Sequence, residues 1–336
     1  RDLGGQNALS YHRLPGKIRL DTTEANKQCY VFNQNGDSLV GSTIEIDTNQ
    51  RKVHFTDAKG LFTHPINPPK ALDTTLDSTK PPAMTPVPST LQVQAADLHW
   101  DLSRDLLSLK GNVEVEHSVM GNFQSDQELR VFYTGVKGQR NLRAIESEGH
   151  LLLRRDDSLK KQSHWLICDG NMLVNHEAMT VIFQSFEDFE GKVKRDKQVY
   201  FYDSLGEIQA DKITISYQEV AGKFEATKVK LEGNVFMIDH KDVQDAIEPE
   251  RSFVHYALAD FVEYILTDKE MHLYSKVGNR VLFYDKINKL NMSAPALKVK
   301  RDDQTKKESV KGIGDVRFHF LDSELEQLRK YSAFDF

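Results

Sequence analysis

Cysteine is scarce in this chain. Cys29 and Cys168 are the two among 336 residues, and no CxxC spacing occurs. That excludes a disulfide framework and the thiolate zinc or dithiol redox sites that need such spacing. Two readings of the pair stay open, a disulfide in an oxidising compartment or two buried free thiols. No uninterrupted apolar run reaches about 18 residues, so no segment reads as a membrane-spanning helix. An excess of basic charge is missing as well. Asp and Glu number 50 against 44 Lys and Arg, a formal net charge of -6, which argues against a dedicated nucleic-acid binder. GxSxG elbows, P-loops, helix-opening GxGxxG and HxH, HExxH or DxD metal patterns are all absent. The adjacent pairs His176-Glu177 and Asp239-His240 are expected to point to opposite faces of a strand. The expectation is a protein that is not an enzyme and uses no cofactor and no metal. Carboxylates that converge only in space are the enzymatic alternative.

What is present suffices for a core. Hydrophobic residues make up 39% and charged residues 28%, which excludes wholesale disorder and collagen. The length exceeds one average domain and suggests two domains or one elongated unit. Seven of the ten prolines fall between Pro65 and Pro88, in a stretch rich in Thr, Ser and Asp. Proline fixes φ and removes a donor, so this stretch suits neither a helix interior nor a central strand. The expected organisation is an N-terminal segment with a few strands over 1–64 and a linker or insertion over 65–90. A β body follows over 91–320, as one unit or as two stacked units near 91–197 and 198–320. A helical tail over 321–336 is centred on Asp322–Lys330, with Leu325 and Leu328 at i, i+3. The sequence opens on Arg1, and the expectation is that a signal peptide, a membrane anchor or another segment precedes it.

Beyond Leu91 the dominant period is two. In Leu107–Glu116 the odd positions hold Leu107, Leu109, Gly111, Val113 and Val115, and the even ones Ser108, Lys110, Asn112, Glu114 and Glu116. Such alternation predicts a strand with one wet face. It returns in Lys228–Val235, Asp211–Tyr217 and Asp315–Phe320. Phe236 and Ile238 break it, because Val235 and Met237 already claim one face. A strand buried on both sides is expected there, with an outer partner patch as the alternative.

A repeat is the most specific feature. Ala96-Asp97 precedes Leu109-Lys-Gly111-Asn112-Val113; Ala210-Asp211 precedes Leu231-Glu-Gly233-Asn234-Val235; Ala259-Asp260 precedes Val277-Gly278-Asn279-Arg-Val281. Looser copies are Cys168-Asp-Gly170-Asn171, Glu148-Gly149-His, Lys311-Gly-Ile-Gly314-Asp and Val40-Gly-Ser-Thr. Glycine inside a strand pattern marks a bulge or a close backbone approach. Repeated bends wrap successive strands about an axis, and each unit buries its apolar face against its neighbours. The spacing runs from 14 residues, Asp97 to Gly111, to 22, Asp211 to Gly233. Hairpins of unequal length disfavour a parallel β-helix.

With these motifs the chain resembles the OstA-like (LptA/LptC) family of lipopolysaccharide-transport proteins. The matching stretches are 95–117, 209–240 and, more weakly, 258–283, and the resemblance covers most of 91–320. The chain departs from the compact family pattern in its length, its proline-rich stretch and the region 118–200. The resemblance implies an all-β, open, twisted antiparallel β-jellyroll built from repeated hairpins, whose interior holds lipid A acyl chains. It further implies a periplasmic place in a Gram-negative cell, as a component bridging inner and outer membranes or as the membrane-anchored adaptor that feeds the bridge. Lipopolysaccharide and other jellyroll proteins joined through edge strands are the implied partners, with head-to-tail self-association. A structural module that polymerises through its strand edges without ligand is the alternative.

The expected lipid-lining residues are Leu109, Val113, Val115, Ile213, Ile215, Tyr217, Leu231, Val235, Met237, Val281, Phe283, Phe318 and Phe320. Each CH2 taken from water is worth about 0.8 kcal/mol, so a continuous apolar trough suits a multi-acyl lipid. On this reading Val235→Asp abolishes loading and leaves the fold intact. Arg154-Arg155, Lys160-Lys161 and Lys192–Lys197 are candidate phosphate contacts, with solvated loops as the alternative.

Overall fold

The structure, a computed structural model, describes residues 9–22, 28–32, 38–64, 89–117, 121–134, 141–157, 162–203, 206–220, 223–240, 253–285, 290–301 and 308–319. The proline-rich stretch 65–88 and the tail from 320, with its expected helix, lie outside the described residues. Within them the chain is nearly all strand, with one 3-10 turn at Arg195–Lys197. Among the described residues no helix is long and apolar enough to cross a membrane. Packing divides the chain into two compact units, Arg1–Arg155 with Asn171–Met179 and Gln218–Glu225, and Asp156–Gly170 with Thr180–Tyr217 and Ala226–Phe336.

The first strands are β1 (Leu9–Leu14), β2 (Lys17–Thr22), β3 (Cys29–Phe32), β4 (Ser38–Gly41), β5 (Thr43–Asp47) and β6 (Lys52–His64). Next come β7 (Ser89–Asp101), β8 (Leu106–Lys110), β9 (Val113–His117), β10 (Gly121–Ser125), β11 (Glu128–Thr134) and β12 (Asn141–Asp157). In the first unit β6 and β7 pair antiparallel from Lys52↔Asp101 to His64↔Ser89. Each long strand serves two shorter ones. β6 pairs with β5 at its start and with β4 further on, and β7 pairs with β8 and with β9. β8 continues to β11 and β9 to β10, and both lines rejoin on β12. Two ladders therefore share the long strands and part between them.

Period-two patterning explains how they close. Cross-strand partners put Ile44, Phe55, Leu98, Leu109 and Leu129 in one row of the first ladder, all buried. Val93, Val115, Phe123 and Leu153 form a row of the second. No helix among the described residues covers either row. The two ladders must fold over each other along the bends and bury these rows between them, which makes a β-jellyroll. Fully burying one such side chain stabilises by about 1.5–3 kcal/mol.

The remaining strands are β13 (Gln162–Asn175), β14 (Thr180–Ser185), β15 (Val199–Tyr202), β16 (Gly206–Ala210), β17 (Lys212–Val220), β18 (Lys223–His240) and β19 (Phe253–Ile265). After them come β20 (Glu270–Tyr274), β21 (Val281–Asp285), β22 (Leu290–Ala294), β23 (Ala296–Arg301), β24 (Glu308–Ile313) and β25 (Arg317–His319). The second unit repeats the plan. β18 and β19 are its long pair. From β19 one line runs through β20 and β23 to β24, and the other through β21 and β22 to β25. β15 and β16 join β18 to β13, and β14 pairs with β17. All these pairings are antiparallel.

Two readings of the sequence need correction. Leu107–Glu116 is not one strand: it breaks at Gly111-Asn112 into β8 and β9. The two residues have φ of 71° and 47°, outside the extended region, although the in–out alternation carries across the break. Phe236 and Ile238 are not buried on a two-sided strand. They are half-exposed on the outer face, beside Leu258 and Tyr256. Neither cysteine is in a disulfide, and both are buried.

Candidate functional site

The repeat forms the bends. Gly233 and Asn234 have φ of 77° and 47°, nearly the values of Gly111 and Asn112. Two successive left-handed residues are costly for L-amino acids, except that Gly has no Cβ and Asn tolerates the region. In β18 the register passes from Glu232↔Phe261 directly to Val235↔Ala259, so two residues oppose one, a β-bulge. The repeat's aspartate holds this bend from the neighbouring strand. Asn234 Nδ2 donates to Asp211 Oδ2 at 2.9 Å, and Gln198 Nε2 donates to Asp211 Oδ1 at 2.7 Å. The Asp211 amide also donates to the Gly233 carbonyl at 3.0 Å. Asp260 receives the Lys276 amide at 2.6 Å and Asn279 Nδ2 at 3.1 Å. Asp126 receives the His150 amide beside Gly149 at 2.7 Å. The motif is thus a structural bracket that bends each ladder inward.

The expected lining residues fall into two sets, one in each unit. In the first, Leu109 and Val113 are fully buried beside the bend, and Val115, further out, is half-buried between Val93 and Phe123. In the second, Ile213, Leu231, Val235, Val281 and Phe283 are buried, whereas Ile215, Tyr217 and Met237 are half-buried. Cross-strand pairing sets Leu166, Phe201, Ile208, Met237, Ala257, Phe283, Met292 and Phe318 in one apolar row. Phe318, on β25, is 53% exposed. Phe320 lies outside the described residues. Burial along these rows is uneven: Val93, Leu166, Ala257, Phe283 and Met292 are buried although they too lie one step out from the bend. Leu109, Val113, Leu151, Val199 and Val235 sit next to it and are sealed, while Val115, Phe123, Leu153, Phe201, Ile208 and Met237 lie one step out and keep part of their surface open.

Further along the same inner face of the second unit the side chains turn polar, which the sequence reading missed. His255 lies between Asp239, 3.1 Å from Nδ1, and Asp285, 3.7 Å from Nε2, and stacks on Phe283 at 5.6 Å. His164 faces Asp203 at 3.6 Å. Period-two placement after Met237 and before Ala257 was the available signal. The basic clusters contribute less than expected. Lys192 is paired with Glu190 at 2.8 Å, Lys197 with Asp169 at 2.9 Å, and Arg195 lies over the Phe236 ring. Arg154 and Arg155 are exposed, and Lys160-Lys161 lies outside the described residues. His176-Glu177 stands in a turn rather than a strand.

Metal-ligand geometry, which no sequence motif announced, occurs on the outer face of the first unit. His54, Asp97 and His99 bring one ligand atom each within 4.8 Å of the others. Burial, followed by the neighbouring His54, pushes the His99 imidazole below its ordinary value. The signal missed was Asp97-x-His99 on one strand face, with His54 supplied by the strand paired to it.

No family model matches this chain, and no curated protein matches it. Among solved structures it is similar to LptH, the LptA homologous periplasmic component of the lipopolysaccharide transport device from Pseudomonas aeruginosa. That likeness has 7% identity and a TM-score of 0.33, over 47% of this chain and 94% of the other.

Proposed function

We propose that the chain is a lipid-binding jellyroll of the lipopolysaccharide-transport type, acting in the periplasm of a Gram-negative cell as a bridge or adaptor component. One observation carries the reading: one step from the bend, Phe123, Leu153, Phe201, Ile208 and Met237 keep part of their surface open on the inner face, beside buried members of the same rows. A core that only had to hold the fold would gain nothing from half-exposed Phe123, Leu153, Phe201, Ile208 and Met237 on its inner face. Acyl chains laid along those rows would remove that surface from water. Head groups would stay at the polar margin, and transfer would be passive sliding, driven from elsewhere in the assembly.

Edge strands are the proposed route to partners. An edge strand can take a strand of another chain as its neighbour, and β25, which among the described residues pairs with β22, is the proposed docking edge. The test of the lipid reading is loading of a fluorescent lipid A analogue onto the full chain. Met237→Asp, a half-buried site, should fold normally and lose most of the signal. Unchanged loading of that folded variant would contradict the proposal.

A further inference from the structure

We propose that His54, His99 and Asp97 form a site for a zinc-class divalent transition metal on the outer face of the first unit. The ligands come from the central strand pair. His54 and His99 are direct cross-strand partners on β6 and β7, and their rings stack at 4.1 Å with planes 5° apart. Asp97 lies two residues before His99, hence on the same face, and its Oδ1 is 2.9 Å from His54 Nε2. Tetrahedral zinc with bonds of about 2.0–2.1 Å holds its ligand atoms about 3.3 Å apart. Small side-chain rotations suffice to contract the observed cluster, whose ligand atoms already lie within 4.8 Å.

Two further features fit a metal better than an ordinary surface ion pair. Imidazole ligands normally turn their second nitrogen toward a carboxylate, which fixes the tautomer. His54 Nδ1 faces Glu45 Oε2 at 3.9 Å, and Arg19 Nη1 holds Glu45 from the other side at 2.8 Å. The scaffold behind the site is rigid. Phe55 and Leu98, the chain neighbours of His54 and His99, are among the most buried side chains on the opposite face, so the register that places the histidines cannot slip without exposing the core. Lys110, the cross-strand partner of Asp97, is drawn toward Glu128 at 3.6 Å and leaves the carboxylate available.

Position suggests what the metal does. His54 and Asp97 are 43 positions apart in the chain, and a cross-link that closes a long loop removes entropy from the unfolded chain. Bound zinc would staple the β6–β7 pair and raise thermal stability, independently of any lipid.

The test is Zn2+ titration of the full, tag-free chain by calorimetry, with melting curves in Zn2+ and in chelator. Expected are one Zn2+ per chain, a melting temperature raised by Zn2+, and at least about tenfold weaker binding in His99→Ala and Asp97→Asn. His164→Ala, in the other unit, should bind as the parent does. Absence of binding at micromolar Zn2+, or binding that survives both His99→Ala and Asp97→Asn, would overturn the site. His99 and Asp97 are solvent-facing, and circular dichroism of the variants checks that they fold.

Discussion

Asp211 and Asn234, twenty-three positions apart, are joined side chain to side chain at 2.9 Å across a bend in which Asn234 and its neighbour Gly233 both adopt left-handed backbone. That contact gives the repeat its meaning. The aspartate serves the bend by accepting from the asparagine and from the buried Gln198. Asp211→Ala should therefore destabilise by about 1–3 kcal/mol, because it removes the acceptor of the Asn234 side chain and leaves the buried Gln198 amide with only its longer bond, 3.2 Å, to the Asn234 carbonyl. Gly233→Ala should cost at least as much: an L-residue pays about 1–2 kcal/mol in that region, and its Cβ would collide with the Asp211 carboxylate. Urea denaturation of the two variants and the parent checks both.

The sealed part of the interior should behave as core. Leu98 is 0% exposed and Phe189 is 97% exposed. Leu98→Ala should cost about 2–5 kcal/mol, and Phe189→Ala should stay within about 0.5 kcal/mol of the parent. The same denaturation experiment separates them.

Much of this architecture was legible in the sequence. Period-two alternation gave the strands, and Gly111-Asn112 and Gly233-Asn234 gave the bends, because few residues other than glycine and asparagine tolerate that backbone. Alternation could not reveal which face of Phe236 meets solvent, since both faces of β18 are apolar and only the ladders decide which is inner. Nor could it reveal that Val235, adjacent to the bend, is buried while Met237, two residues on, is half-buried. Val235→Asp consequently tests folding rather than loading, contrary to expectation, and Met237 is the informative position. His54 and His99 were invisible as a pair because strand pairing, rather than sequence proximity, brings them together.

Acid should weaken the second unit in a defined way. Hydrogen bonds from Lys298 and His272, at 2.5 and 2.6 Å, hold the Glu270 carboxyl below its ordinary value of 4.5. A carboxyl lowered by folding contributes stability that is fully present above the unfolded value and is lost as pH falls through the folded one. Melting temperature should therefore fall as the pH drops below 4.5, and Glu270→Gln should flatten that slope while already being less stable near neutrality. An identical slope in the variant would assign the acid response to other groups.

Burial pushes the Cys168 thiol up to about 12, and burial also raises Cys29. Since the thiolate is the reactive form, neither should react with a thiol reagent at mildly alkaline pH until the chain unfolds. Timed alkylation with and without denaturant, read by mass spectrometry, checks this. Rapid labelling of Cys168 in the native chain would contradict the sealed interior.

The most direct test of the central claim is native mass spectrometry of the full chain purified gently from a lipopolysaccharide-producing host. The expected result is a retained adduct whose fragments contain lipid A, lost in Met237→Asp. A chain that remains bare after incubation with lipopolysaccharide would contradict the transport reading, leaving the jellyroll as a structural module that works through its strand edges.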